Sequence, residues 1–84
     1  MKYSLEITSS AQRQFKKLPG IIQDQIITKV LALEMDPRPV GVKKLQTFDY
    51  YRIRVGDYRV IYSINDQSRF VKILDLGHRK DIYR

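Results

Sequence analysis

Between Tyr50 and Ile64 apolar and polar residues alternate on either side of a Gly56-Asp57 pair, and this pattern constrains the fold more than any other. An alternation of period two means a strand with one buried face. A glycine–aspartate pair between two such runs is a two-residue hairpin turn. If Gly56-Asp57 is that turn, Val55 faces Tyr58, Arg54 faces Arg59 and Ile53 faces Val60. Apolar residues then meet apolar ones and basic residues meet basic ones, so the register is self-consistent.

The preceding half has a different period. Tyr3 to Ile7 alternates and reads as a half-buried strand. Ser9 and Gln12 then have the spacing of a capping box, with Ala11, Phe15 and Leu18 on one helical face up to Pro19-Gly20. Ile22, Ile26, Val30 and Leu33 form a second apolar stripe, flanked by Ile27 and Leu31, which stops at Asp36-Pro37. Two antiparallel helices joined by a tight turn follow. The segment 36–41 holds two prolines and a glycine and reads as a loop. Asn65 to Ser68 makes another turn, and Arg69 to Leu76 the last strand. The expected architecture is α+β, in the order β-α-α-β-β-β, with the helices packed on one face of a small, mostly antiparallel sheet.

At 84 residues the chain supports one domain with one core, taken here as residues 1–84. It has no cysteine, which excludes disulfides, a thiolate nucleophile and a cysteine zinc site. Its single histidine, His78, has no second histidine with which to share a metal, so no cofactor or metal is expected. Glu6 interrupts the N-terminal apolar run before it reaches signal-peptide length. No apolar stretch approaches a membrane span. The cytoplasm is the expected compartment.

Sixteen basic and nine acidic residues give a net charge of +7. The surplus is concentrated in residues 43–84, which hold ten basic and five acidic groups. Such an excess suits a polyanionic partner, or else a basic surface kept for solubility.

Strand alternation puts Tyr50, Arg52 and Arg54 on one face, with Arg59 opposite Arg54. Arginines directly across a ladder repel, and a fold selected for stability alone would favour another residue there. Three guanidiniums suit a ligand that brings its own negative charge, above all a phosphate, which arginine grips with two parallel hydrogen bonds. The competing reading is a solvated charged face with Asp57 and Asp75 as loose partners. Lys43 and Lys44 enter from the loop, and Gly77 to Arg84 adds His78, Arg79, Lys80 and Tyr83 beyond the last strand. Arg59 is expected at the surface, not in the core.

These residue types include no metal site, phosphate-cradling glycine loop or serine triad. Both glutamates, Glu6 and Glu34, lie in the helical half. RNA still offers a route, because its 2′-hydroxyl attacks the neighbouring phosphate and the protein supplies only positioning and charge stabilisation. Tyr83 can accept the 2′-hydroxyl proton if nearby cations lower its phenol pKa from about 10. Arginine keeps its charge and is a poor proton donor, which leaves His78 as a candidate donor to the leaving oxygen.

The runs Lys43-Lys44-Leu45, Tyr51 to Tyr62 and Gly77 to Tyr83 resemble the RelE/ParE toxin superfamily, and its RelE branch more closely. The resemblance covers essentially the whole chain. It implies a toxin that enters the ribosomal A site and cuts messenger RNA there without a metal. It also implies a cognate antitoxin, expected to be acidic and DNA-binding, through which alone the pair touches operator DNA. Carried over, the catalytic positions are Arg52, Arg54, Arg59, Arg79 and Tyr83, with Lys43, Lys44, Tyr50, His78 and Lys80 in RNA binding. The hairpin pair is lysine in the best-known member of the branch and arginine here, which keeps charge but removes a group able to give up a proton.

Two other functions remain open. A ParE-like inhibitor of DNA gyrase would share the fold and cleave nothing, although that branch tends to lack the full cationic set. A non-catalytic RNA-binding module would bind in a salt-dependent way without strand scission.

Overall fold

A computed structural model describes residues 2–46 and 49–78. The elements run β1 (Ser4–Ile7), α1 (Ser9–Lys16), α2 (Gly20–Ala32), β2 (Lys43–Lys44), β3 (Tyr51–Val55), β4 (Tyr58–Asn65) and β5 (Phe70–His78). The five strands form one sheet in the order β1-β5-β4-β3-β2. Only β1 and β5 pair in parallel; the other neighbours are antiparallel. This is the expected α+β layout, with the two-residue β2 as a short strand ahead of the three of the β-α-α-β-β-β order.

The hairpin register is the one the alternation requires, with Val55 opposite Tyr58, Arg54 opposite Arg59 and Ile53 opposite Val60. Gly56 sits at φ +60° while Asp57 keeps a negative φ, the pattern of a type II′ turn, in which the first central residue favours glycine. Tyr51, Ile53, Val55, Val60 and Tyr62 pack with Ile26, Val30 and Leu33 of the α2 segment and with Ala11 of α1 to form the core. Burying such side chains contributes about 1.5–3 kcal/mol each, offset by the entropy of ordering them.

The cap of α1 lies one residue earlier than the Ser9–Gln12 spacing suggested. Thr8 is the N-cap, and its hydroxyl oxygen accepts from the Ala11 amide at 3.1 Å. Gln12 instead donates its side-chain amide to the Ile7 carbonyl at 3.0 Å. Pro19 ends the connection from α1 and stands at the N-cap of α2, whose regular part ends at Ala32, with Leu33 as the C-cap opening the 33–35 turn.

The last strand extends through His78 and contains a β-bulge. Ile61 pairs with Asp75 but Tyr62 pairs with Ile73, which leaves Leu74 as the extra residue. The Leu74 carbonyl is not lost: Thr8 Oγ1 donates to it at 3.2 Å. Nearby, the Leu76 amide donates to Gln14 Oε1 at 3.1 Å, so α1 is fastened to the sheet where the bulge interrupts the ladder. The bulge lets both Ile73 and Leu76 face the helices, and so turns Asp75 and Gly77 to the opposite face. Among the described residues no helix is long and apolar enough to cross a membrane.

Candidate functional site

The sheet face away from the helices carries the basic residues in rows fixed by the pairing. Lys43, Arg52, Ile61 and Asp75 form one row across four strands; Arg54, Arg59 and Gly77 form the next. Burial is graded along them. Arg54 is exposed and Arg52 half-buried, whereas Arg59 is only 6% exposed. The expectation of a surface Arg59 is therefore corrected. Gly77, directly opposite it, has no side chain to push the guanidinium outward, and Ile61, also buried, flanks it on β4.

Asp75 joins this face because of the bulge. It is diagonal to Arg59, and its Oδ1 is buried with no hydrogen-bond partner among the described residues. A carboxylate placed two strands from Arg52 tempers the positive field without removing it.

The remaining candidates divide by position. Lys43 shares the arginine face, in register with Arg52. Lys44 is opposite Tyr51 on the helix-facing side, and its ammonium is 3.1 Å from Asp49 Oδ1. Tyr50 precedes β3 at the parity of Arg52, and its carbonyl accepts from the Leu45 amide at 2.9 Å. His78 pairs with Tyr58, with the rings edge to face at 5.5 Å, and so stands on the face opposite Arg59. Arg79, Lys80 and Tyr83 lie outside the described residues. The structure thus brings together Lys43, Arg52, Arg54 and Arg59, and does not bring His78 or Lys44 to them.

A polar clamp holds the far end of this hairpin and was not legible in the sequence. Arg38 grips Asp66 with two hydrogen bonds, Nη1 to Oδ1 at 3.1 Å and Nη2 to Oδ2 at 2.9 Å. Its guanidinium also donates to the Tyr51 hydroxyl and stands 5.1 Å from the centre of the Tyr51 ring. Tyr3 donates to Asp66 Oδ1 at 2.7 Å. These bonds hold the Asp66 carboxyl below the usual carboxylate range and raise the Tyr3 phenol, whose hydrogen bond to Asp66 favours the protonated form. Tyr62, stacked on Tyr51 at 5.9 Å, donates to the Pro37 carbonyl at 2.7 Å, and burial pushes its phenol far up. The loop after α2, the β4–β5 turn and the start of β3 are tied together.

A different surface lies between the helices and β1. An apolar groove of about 390 Å³ is lined by Leu5, Ile7, Phe15, Ile27 and Leu31, with Ile7, Ile27 and Leu31 exposed. Among the described residues no three histidine, cysteine or acidic side chains gather as a metal site would need.

The model of the family described as "ParE toxin of type II toxin-antitoxin system, parDE" matches residues 5–83. The chain belongs to this toxin family. Within it the similar curated proteins are RelE-type. Toxin RelG of Mycobacterium tuberculosis is 34% identical over 100% of this chain and 99% of its own length. The mRNA interferase toxin RelE of Escherichia coli is 26% identical over 95% of this chain and 86% of its own length. Among solved structures, RelE in the RelE–RelB complex of Pyrococcus horikoshii superposes with a TM-score of 0.85 at 35% identity, covering 94% of this chain and 97% of that one. The protein is a RelE-type toxin of a toxin–antitoxin system, with the two-helix, five-stranded fold of that group.

Proposed function

We propose that this RelE-type toxin is a ribosome-dependent, metal-independent endoribonuclease that cuts messenger RNA in the A site. The observation that carries the reading is the row of Arg54 and Arg59 across one ladder, with Arg52 and Lys43 in the adjoining row. Cations gathered this closely on one face favour an anion as ligand. A phosphodiester is such an anion, and its charge grows as the 2′-hydroxyl adds to phosphorus. Fixed guanidiniums then stabilise the transition state more than the ground state. The relative from E. coli that is named an mRNA interferase adds support.

In this reading the O2′–P bond forms as the P–O5′ bond breaks, leaving a cyclic phosphate and a 5′-oxygen that takes its proton from water. Arg52, Arg54 and Arg59 hold the phosphorane. Arg79 completes the charge and Tyr83 receives the 2′-hydroxyl proton. His78 stands across from Tyr58 on the other face, so it does not serve as the donor to the leaving oxygen. The decisive experiment is to incubate purified toxin with programmed ribosomes and map messenger ends. Cuts within the A-site codon are expected; intact messenger at high toxin concentration would sink the proposal.

An antitoxin is the second proposed partner. Similar structures were solved as RelE–RelB complexes, and exposed Ile7, Ile27 and Leu31 offer an apolar segment a groove to fill. The gyrase-inhibitor reading draws on the family description, which names ParE. A supercoiling assay separates it from the ribonuclease, since inhibition of gyrase is expected only under that alternative.

A further inference from the structure

Arg54 belongs to two surfaces. By register it stands on the cationic face opposite Arg59, yet it also lines a groove with Gln25, Thr28 and Lys29 of α2 and with Val55 and Gly56. The groove measures about 580 Å³. It exists because β2 covers β3 only at Tyr51 and Arg52, so the edge from Ile53 to Val55 is left without a neighbouring strand. One wall is the exposed side of α2, where Gln25, Thr28 and Lys29 recur at helical spacing.

The chemistry of the lining is one-sided. It holds two cations and an amide and no carboxylate, while the Thr28 hydroxyl donates to the Asp24 carbonyl at 3.1 Å. Among the described residues neither Lys29 nor Arg54 is engaged by an acid, unlike Lys44 with Asp49 or Arg38 with Asp66. Asp57 lies beside Gly56 in the turn and Asp24 one turn back on α2, but neither lines the groove. The groove also opens on the helix side of the β3 edge, whereas the arginine row faces away from the helices.

We infer that the α2–β3 groove binds the phosphodiester backbone of a second RNA segment, the structured RNA around the cut strand, with Lys29 as its principal cation. This rests on the ribonuclease reading and adds an anchoring site to it. Lys29 is a positioning residue: it grips the surrounding RNA and so aligns Arg54 and the rest of the row with the messenger.

The test uses full-length toxin carrying Lys29→Glu or Lys29→Arg, with circular dichroism to verify folding. Association with ribosomes lacking messenger is measured by co-sedimentation over a range of salt, and cleavage of programmed ribosomes gives KM and kcat. Lys29→Glu is expected to weaken association about fivefold or more and to flatten the log–log salt slope by roughly one. KM should rise in step while kcat stays within about twofold, and Lys29→Arg should behave as wild type. Unchanged association, or a fall in kcat at constant KM, would overturn the inference. So would a loss seen only when messenger is present and extends past the cut codon, because the cut strand itself would then fill the groove. A wild-type toxin that associates but does not cleave refutes the ribonuclease reading alone, and the association data still decide the groove.

Discussion

Arg54 and Arg59 face each other across the β3–β4 ladder, yet Arg54 is exposed and Arg59 is 6% exposed. The pair therefore holds one guanidinium open to solvent and one enclosed by the fold. A phosphate caught between them meets a preorganised partner on β4 and an adaptable one on β3.

Truncation should separate these roles. Arg54→Ala and Arg59→Ala are each expected to lower messenger cleavage by about 10²–10³-fold, the usual loss on removing one transition-state donor. Stability should differ. Arg54→Ala is expected to stay within about 0.5 kcal/mol of wild type, whereas Arg59→Ala costs about 1–3 kcal/mol through lost packing of its buried stem. Urea unfolding of both variants checks this; equal midpoints would mean that the burial of Arg59 contributes nothing.

The two loop lysines should also differ, although they are adjacent in sequence. Lys43 is in register with Arg52 on the cationic face, while Lys44 is on the helix-facing side, 3.1 Å from Asp49. Lys43→Ala is expected to weaken RNA binding and reduce the salt slope by about one, with Lys44→Ala changing neither appreciably. Titration of each variant with programmed ribosomes at several salt concentrations distinguishes them.

What the sequence made legible follows from periodicity. The hairpin register could be read because a one-residue slip would have turned Ile53, Val55 and Val60 to solvent. The bulge at Leu74 could not, because Ile73-Leu74-Asp75-Leu76 breaks the alternation without saying which residue is extra. That single irregularity moves His78 away from the arginines and brings Asp75 toward them. The burial of Arg59 was hidden for a related reason: it depends on Gly77, which only the bulged register sets opposite. Nor does any local signal join Arg38 to Asp66, 28 residues apart, or Tyr3 to Asp66, 63 apart. Contacts of that kind exist only once the chain has folded.

Tyr62→Phe probes the clamp from its buried end. The Tyr62 ring is fully buried and its hydroxyl donates to the Pro37 carbonyl at 2.7 Å. Removing the hydroxyl leaves that carbonyl without its donor, so a loss of about 1–3 kcal/mol is expected in denaturant unfolding. Cleavage per folded molecule should change little, because the clamp supports the hairpin without touching the cationic row.

The exposed half of the clamp predicts a pH dependence. Arg38 first, and then Tyr3, hold the Asp66 carboxyl below its ordinary value. A depressed folded-state pKa means that the unfolded chain takes up the proton more readily. The stabilisation is therefore present above the unfolded value, about 3.9, and is lost as pH falls through the folded one. Asp66→Asn should be less stable than wild type at neutral pH, and the gap should close in acid below that range. Asp66 and Arg38 are both well exposed, so added salt should shrink the difference as well. Thermal melts of wild type and Asp66→Asn from neutral to acid pH, at low and high salt, provide the check. A gap that persists undiminished in acid would show that the carboxylate's charge is not what holds the loop after α2 to the β4–β5 turn.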